Sequence, residues 1–536
     1  MELNNYLIPL LIRHLKQMEM NCDPEELQLV LQSSPSFPSV LSIVQVYTYY
    51  GLKATACRAD YSALVKAKHP VIAFIKDRTS ERFILIEKTS ENGVCYFDAH
   101  TNKRYEIQQD EFCLIWTKIT ILIEKTGTSF CRRKPDNISR YWLVPLLFSV
   151  LFFRLKTNTS FGNIIFFYAF ISLKVIGTGL SMGLLRQEAK GAYSFFDAFC
   201  QKNAAFDCNK VIHSKGSKVL NRIALADIGF IYFSTGIISL LVAAFSGLII
   251  PVLQIFCYLA VCSIPFILFS VLYQKLVVEK WCPLCLSVVA ILLIEMVLFL
   301  FYPYKKLMVS IFLVVEEIIF SLLLSIGLLF LVKQNIRHKA NAFQKEISSL
   351  RLKRTPAIIA NLFKSQQKMQ SFPEDGLKLG NREAPITITT LLNPMCTPCK
   401  RIALQMIRLL ERYPLFIQWH VRLDGTDKKM YENMNKVQFH LFTFFDPYRH
   451  FPERVEVLKE WFRSQSIDEF EKVYPVRAIG DETKRVFYNH VKNNKVLNTD
   501  KVPSIWMNDH PFPNEYTLED LPFLLTDLVN LSKSTR

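Results

Sequence analysis

The sequence predicts a multi-domain membrane protein: an α-helical transmembrane bundle flanked by an N-terminal α+β domain and a C-terminal α/β domain. Three observations carry that prediction. The chain has 536 residues, half of them hydrophobic, which exceeds one domain and suggests about three. Apolar residues concentrate between Tyr141 and Val332, where several runs reach the roughly 20 residues that span a bilayer. Outside that region the composition is mixed, with the helical and strand-like periodicities of soluble domains.

The N-terminal stretch MELNNYLIPLLIRHLKQ begins with acidic Glu2, is interrupted by Arg13 and offers no small-residue cleavage site. It therefore reads as an amphipathic helix rather than a signal peptide. Helical periodicity continues to Leu31, a second helical run covers Pro38 to Tyr50, and short β-rich runs such as HPVIAFI and RFILIEK follow, making residues 1–130 one soluble block. A short apolar run, Tyr141 to Phe153, is barely long enough to cross a membrane. Five better candidates follow at 163–185, 224–246, 248–273, 281–301 and 308–333, which gives a transmembrane domain at 138–333. Residues 334–383 form a charged, helix-prone connector. The last domain, 384–536, opens with a β-run, PITITTLL, then NPMCTPCKRIALQMIRLLERY at helical spacing, then a second β-run, LFIQWHVRL. The net charge of +17 lies mostly on flanks and loops, which fits membrane-surface electrostatics, and nucleic-acid binding is set aside.

Chemistry concentrates in three cysteine pairs. Cys396 and Cys399 flank Thr397 and Pro398 between a strand and a helix, an order that puts Cys396 at a helix N-terminus. There the macrodipole, the free amides and the neighbouring Lys400 and Arg401 favour a thiolate. Cys396 is then the attacking thiol, and Cys399, one turn deeper, resolves the mixed disulfide. No second CxxC or HxxxH accompanies the pair, so no metal site is expected. Cys282 and Cys285, in WCPLC, open an apolar helix behind Trp281 and are separated by Pro283 and Leu284; proline is well tolerated in a first helical turn. Cys200 and Cys208 lie in the long loop after the first membrane segment. A loop pair of this kind reads equally well as a structural disulfide. Cys257 and Cys262 fall within one apolar helix and read as membrane-packed thiols. Lys174, Asp227, Glu295, Glu316 and Glu317 lie in or near membrane segments, where charge is costly. Pairing of Lys174 with Glu295, or a snorkelling lysine, is the preferred account, and no acid or base is assigned among them.

Two resemblances sharpen this reading. Seven residues between Cys200 and Cys208, a serine six beyond the second, then helices and WCPxC, resemble bacterial homologues of vitamin K epoxide reductase over residues 160–333. The resemblance implies that Cys200 and Cys208 shuttle electrons from a thioredoxin-like partner to Cys282 and Cys285, which reduce a quinone, ubiquinone or menaquinone, with Ser214 near it. The strand, CTPC and helix, with KVPSIWMN about a hundred residues on, resemble the thioredoxin superfamily over residues 384–530, Val502 and Pro503 matching its cis-proline loop. The roughly 80 residues between the second strand and Pro503 imply a helical insertion like that of disulfide-forming thioredoxin-fold oxidases.

Residues 35–124 resemble the bacteriocin-processing cysteine peptidases of peptide exporters, with an α+β papain-like fold. Their chemistry needs a Cys nucleophile, an activating His and an orienting Asp. Here Arg82 stands in the His position, Asn5 or Tyr6 stands where the cysteine belongs, and only Asp98 survives. Arginine cannot act as a base at neutral pH. Peptidase activity is thus not expected, a degenerate peptide-binding module is, and Cys22, Cys57, Cys95 and Cys113 read as small core residues.

The expected function is a quinone-linked thiol oxidase making disulfides in exported cysteine-containing proteins or peptides. Electron flow outward, as in a disulfide reductase or isomerase, and a peptide-export accessory acting beside an exporter are the alternatives. Four crossings separate the Cys200 loop from the last domain, an even number, so all three pairs are expected on one face. Seven Lys or Arg between Arg186 and Arg222 would draw that loop to the cytoplasm, but disulfide generation belongs in an oxidising compartment. The expected location is the bacterial inner membrane with the redox face outside, Arg154, Lys156 and the YPYKK turn supplying positive charge to the other side.

Overall fold

A computed structural model describes residues 6–67, 70–78, 80–125, 161–189, 191, 193, 197, 200, 205–219, 223–300, 311–369, 373, 375–425, 436–443, 451–475, 480–499 and 501–534. The Tyr141–Phe153 run, Arg154, Lys156, the YPYKK turn and Asn5 lie outside the described residues. The chain forms two compact units, Met1–Leu31 with Leu52–Ser348, and Gln32–Gly51 with Ser349–Arg536.

The first unit opens with α1 (Leu7–Gln17) and α2 (Pro24–Gln32); α3 (Val40–Tyr49) belongs to the second unit. There follow β1 (Leu52–Arg58), α4 (Tyr61–Val65), β2 (Val71–Lys76), β3 (Glu81–Thr89), β4 (Gly93–Asp98), β5 (Lys103–Gln108), α5 (Gln109–Ile115) and β6 (Trp116–Lys125). The strands form an antiparallel sheet in the order β1-β6-β2-β3-β4-β5. Leu7, Leu10, Leu11 and Leu15, at helical spacing on α1, are fully buried, and Ala73, Ile75, Ile84, Phe112 and Trp116 fill the core beneath α5. Cys22, Cys57 and Cys95 are half-buried, whereas Cys113 is exposed, so the core-residue expectation fails for it.

Five apolar helices follow: α6 (Phe161–Glu188), α8 (Leu225–Ser246), α9 (Ile249–Cys262) running into α10 (Ile264–Tyr273) and a π-turn to Val278, α11 (Pro283–Leu300) and α12 (Ile311–Lys353). Between α6 and α8 lie the short α7 (Cys208–Ile212) and a hairpin of β7 (Lys218–Val219) with β8 (Ile223–Ala224). Four of these spans are long and apolar enough to cross a membrane; α11, at 18 residues, is shorter. All five expected segments are helices. Close approach of α6 and α8 depends on two glycines, since a Cβ on Gly177 would collide with the Phe233 ring and one on Gly236 with the Lys174 stem. The hydrophobic runs form helices because a bilayer interior offers backbone groups no partner but one another.

In the second unit α13 (Pro356–Ser365) precedes β9 (Leu377–Gly380), β10 (Ile386–Leu392), α14 (Thr397–Arg412) and β11 (Ile417–Leu423). The expected helical insertion is α15 (Lys436–Thr443), α16 (Phe451–Ser464), α17 (Ile467–Val473) and α18 (Asp481–Asn494), followed by β12 (Ser504–Met507), β13 (His510–Pro511) and α19 (Leu521–Ser534). The sheet order is β13-β12-β10-β11-β9, with β10 and β11 parallel across the α14 crossover and the other pairs antiparallel. Residues 32–51 pack into this unit: Gln45 donates to the Phe523 carbonyl at 3.2 Å, Arg351 to that of Gln32 at 2.6 Å, and Arg354 to the Ser33 hydroxyl.

Candidate redox site

The loop and helix-end cysteines come together inside one apolar cluster. Asp207 donates its backbone N–H to the Trp281 carbonyl and Trp281 donates to that of Ala205, both at 2.9 Å, so Phe206 and Trp281 form a short parallel bridge. That bridge places Cys208, at the start of α7, beside Cys282, just ahead of α11. Cys200 and Cys208 form a disulfide, and with Cys282 they are buried with Leu184, Ile212 and Leu284, while Cys285 is half-buried against the same cluster. Gln274 of the π-turn accepts the Cys282 N–H at 2.7 Å, and the Cys285 N–H points to the Cys282 sulfur at 3.3 Å. Ser214 caps its own loop, its hydroxyl donating to the Val211 carbonyl at 2.6 Å, while Tyr273 accepts the nearby Gly216 N–H at 2.8 Å.

Deeper in the bundle, Lys174 and Glu295 are fully buried and paired at 2.9 Å, as the sequence suggested. Tyr232 donates to the same carboxylate oxygen at 2.7 Å, and the lysine ammonium lies 3.7 Å over the Tyr232 ring. Three helices, α6, α8 and α11, are thus joined by one fully buried charge pair and its tyrosine.

In the second unit, Cys396 is the N-cap of α14 and half-buried, while Cys399 is fully buried and its sulfur accepts the Asn393 N–H at 3.3 Å. Burial pushes the Cys399 thiol up to about 12, opposed by the Asn393 amide and reinforced by Asp424. The loop before the helix is fixed from the insertion: Trp461 and Gln465 both donate to the Pro394 carbonyl, at 3.1 and 2.9 Å. The Val502–Pro503 peptide is cis, and the β10–β12 register, Leu391 opposite Ser504, carries Pro503 to the end of β10 that leads into the cysteine loop. Asn393, Gln274, Trp461 and Gln465 were not found from sequence; each acts through a contact its neighbours in the chain do not signal.

The residues expected at the peptidase-like position also come together. Tyr6, the N-cap of α1, accepts the Phe83 N–H at 3.1 Å, and Arg82 pairs with buried Asp98 at 2.8 Å and with Asp77. Burial opposes the Arg82 charge, but Asp77 and Asp98 outweigh it and push its pKa up; burial likewise raises Tyr6. His100 closes the group, its ring edge-on to Tyr6 with centroids 6.0 Å apart and its backbone N–H donating to Asp98 at 2.8 Å. Among the described residues no cluster of three or more His, Cys, Asp or Glu could hold a metal.

A disulfide latched to a CxxC at the start of an apolar helix, in a chain with a second CxxC at a helix N-terminus, is the cysteine set of a multi-pass membrane thiol–disulfide oxidoreductase. Residues 168–300 match the Vitamin K epoxide reductase family model, and residues 11–128 match that of the Peptidase C39 family. Among solved structures, ScsC of Proteus mirabilis in a transitional conformation is 13% identical, with 38% of this chain and 96% of that one covered and a TM-score of 0.26. Oxidised BdbD from Bacillus subtilis is 12% identical, covering 31% and 98%, with a TM-score of 0.25. A periplasmic thioredoxin-like protein from Salmonella enterica serovar Typhimurium is 9% identical, covering 29% and 92%, also at 0.25. No curated protein matches the chain.

Proposed function

We propose that this protein is a quinone-linked thiol oxidase that generates disulfides in exported cysteine-containing proteins or peptides. The observation that carries the reading is the Phe206–Trp281 bridge, which brings the loop pair against the membrane pair in one apolar cluster. Substrate thiols reduce the Cys396–Cys399 disulfide, that pair reduces Cys200–Cys208, and these reduce Cys282–Cys285. Each step is thiolate exchange through a mixed disulfide, and its direction follows the relative potentials. A membrane quinone, ubiquinone or menaquinone, would serve as the two-electron acceptor for the last pair, with Ser214 beside it, and Val502 and Pro503 line the substrate loop. The domains are the peptidase-like block at 1–130, the transmembrane domain at 138–333, the helical linker at 334–383 and the thioredoxin-like domain at 384–536, in a bacterial inner membrane with the redox face outside.

The test is variant turnover in purified full-length protein. Cys285→Ala stops quinone reduction, whereas Cys396→Ala stops oxidation of protein thiols but leaves turnover with small dithiols. Dithiol oxidation without matching quinol formation would overturn the scheme. A reductase would instead require the Cys396 pair to have the more negative potential.

The Tyr6–Arg82–Asp98 cluster favours a second role for the first block: peptide docking without cleavage. A leader peptide that binds the wild-type chain and stays intact supports this, and cleavage dependent on Cys22, Cys57, Cys95 or Cys113 would refute it.

A further inference from the structure

Helix α12 is apolar toward its surroundings and polar toward the bundle, the reverse of ordinary packing. From Val315 to Val332 its buried positions are Glu317, Ser321 and Ser325, at four-residue spacing, while Ile319, Phe320, Leu323, Phe330 and Leu331 are more than half exposed. Opposite runs α8. Its Asp227 pairs with Lys333 at 2.6 Å, and its Ser246 donates to Glu317 at 3.4 Å, so the two antiparallel helices are joined at both ends. Thr235 and Ser239 fall by helical spacing on the same flank of α8, between those anchors.

Thr235 Oγ1, Ser239 Oγ, Ser321 Oγ, Ser325 Oγ and Glu317 Oε1 are buried and have no hydrogen-bond partner among the described residues. Glu317 is 9% exposed, and both buried α12 serines are fully buried. A serine in a membrane helix ordinarily bonds its own i−4 carbonyl, as Ser234 does to Phe230 at 2.6 Å. Five orphan oxygens in one seam are costly in hydrocarbon unless water joins them. From Glu317 to Lys333 the seam rises about 24 Å along α12, most of a hydrocarbon core. The chain order puts Asp227 and Lys333 at the end of the bundle that carries Cys208 and Cys282, and Glu317 at the other end.

We propose that the α8–α12 seam is a hydrated proton path that feeds the redox end of the bundle from the opposite face. The inference rests on the quinone reading above. Two thiols become a disulfide and release two protons and two electrons at the cysteine end; the quinone takes the two electrons, and its two protons arrive through Glu317, the hydroxyl seam and Asp227. Each turnover then moves two positive charges across the membrane.

The test uses full-length protein in sealed liposomes containing a lipid-soluble quinone and a trapped pH dye. Reduced glutathione, which does not cross the bilayer, is added outside, so only molecules with the cysteine face outward turn over. The lumen turns alkaline by one proton per electron, Ser321→Ala and Glu317→Gln each cut that uptake at least tenfold, and Ser321→Thr, which keeps the hydroxyl, restores it. Quinol formation with an unchanged lumen pH overturns the path, as does uptake insensitive to these variants. Failure to form quinol at all refutes the quinone reading instead. Should an alanine variant not insert, the wild-type lumen pH still decides.

Discussion

Cys396 and Cys399 stand one helical turn apart in opposite surroundings. The first sits at the helix N-terminus within reach of solvent; the second is sealed beneath Asn393 with its thiol raised by burial. The proposed division of labour, Cys396 attacking and Cys399 resolving, rests on that difference in access. A second buried group in the same unit should make it sensitive to acid. Burial favours neutral His420, pushing it down to about 4, and also lowers His490, which accepts the Leu423 N–H and faces Asp375 at 2.9 Å. For Asp375 burial alone would raise the carboxyl, but His490 and Arg422 hold it well below the usual carboxylate range. Unfolded histidine titrates near 6.5, so the stability that His420 contributes is present above that pH and is lost as pH falls through about 4. Thermal unfolding of the detergent-solubilised chain should therefore move to lower temperature across that window, and His420→Gln should flatten the slope. An unchanged midpoint from neutral pH to about 4 contradicts the assignment. The cysteines were legible because their spacing is local, whereas Asn393 and Gln274 meet the sulfur or amide they serve only after folding.

At the scale of elements, the membrane helices were legible throughout because hydropathy is a property of a run. Their polar contents were legible in part. Lys174 and Glu295 stood out as charges in hydrocarbon and do pair, but Tyr232, which completes the cluster, looks in sequence like any aromatic. Removing one partner leaves a buried charge. Lys174→Met should lower stability by about 3 kcal/mol or more, while the Lys174→Met and Glu295→Met double variant should recover most of the loss. Melting curves of the three proteins in detergent measure this, and a double variant as unstable as the single refutes it. Glu317 was likewise singled out by its charge, whereas Glu316, one residue away, is exposed. Its link to Ser321 and Ser325 needed the observed facing of α12.

At the scale of the whole molecule, the compact unit built from 349–536 also takes in residues 32–51. Nothing local announces that placement: α3 is an ordinary capped helix, with Ser39 and Ser42 forming a capping box. The partners of α3, Arg412 and Phe523, and those of Gln32 and Ser33, Arg351 and Arg354, are all more than 300 residues away. Replacing residues 40–49 by a glycine–serine linker of equal length should expose the thioredoxin-like unit to limited proteolysis several-fold faster. Cleavage rates equal to wild type would show that α3 is dispensable there.

The bridge between Phe206 and Trp281 is made of main-chain bonds alone. Drift at Ala205 or Phe206 can therefore change those side chains while the Cys208–Cys282 spacing stays fixed, whereas Asp207 is held by its carboxylate, which N-caps α7 through the Lys210 N–H at 3.0 Å. Proline at position 207 or 281 is the exception, because it deletes a donor. The site can thus diversify its surface while its inner distances stay constant.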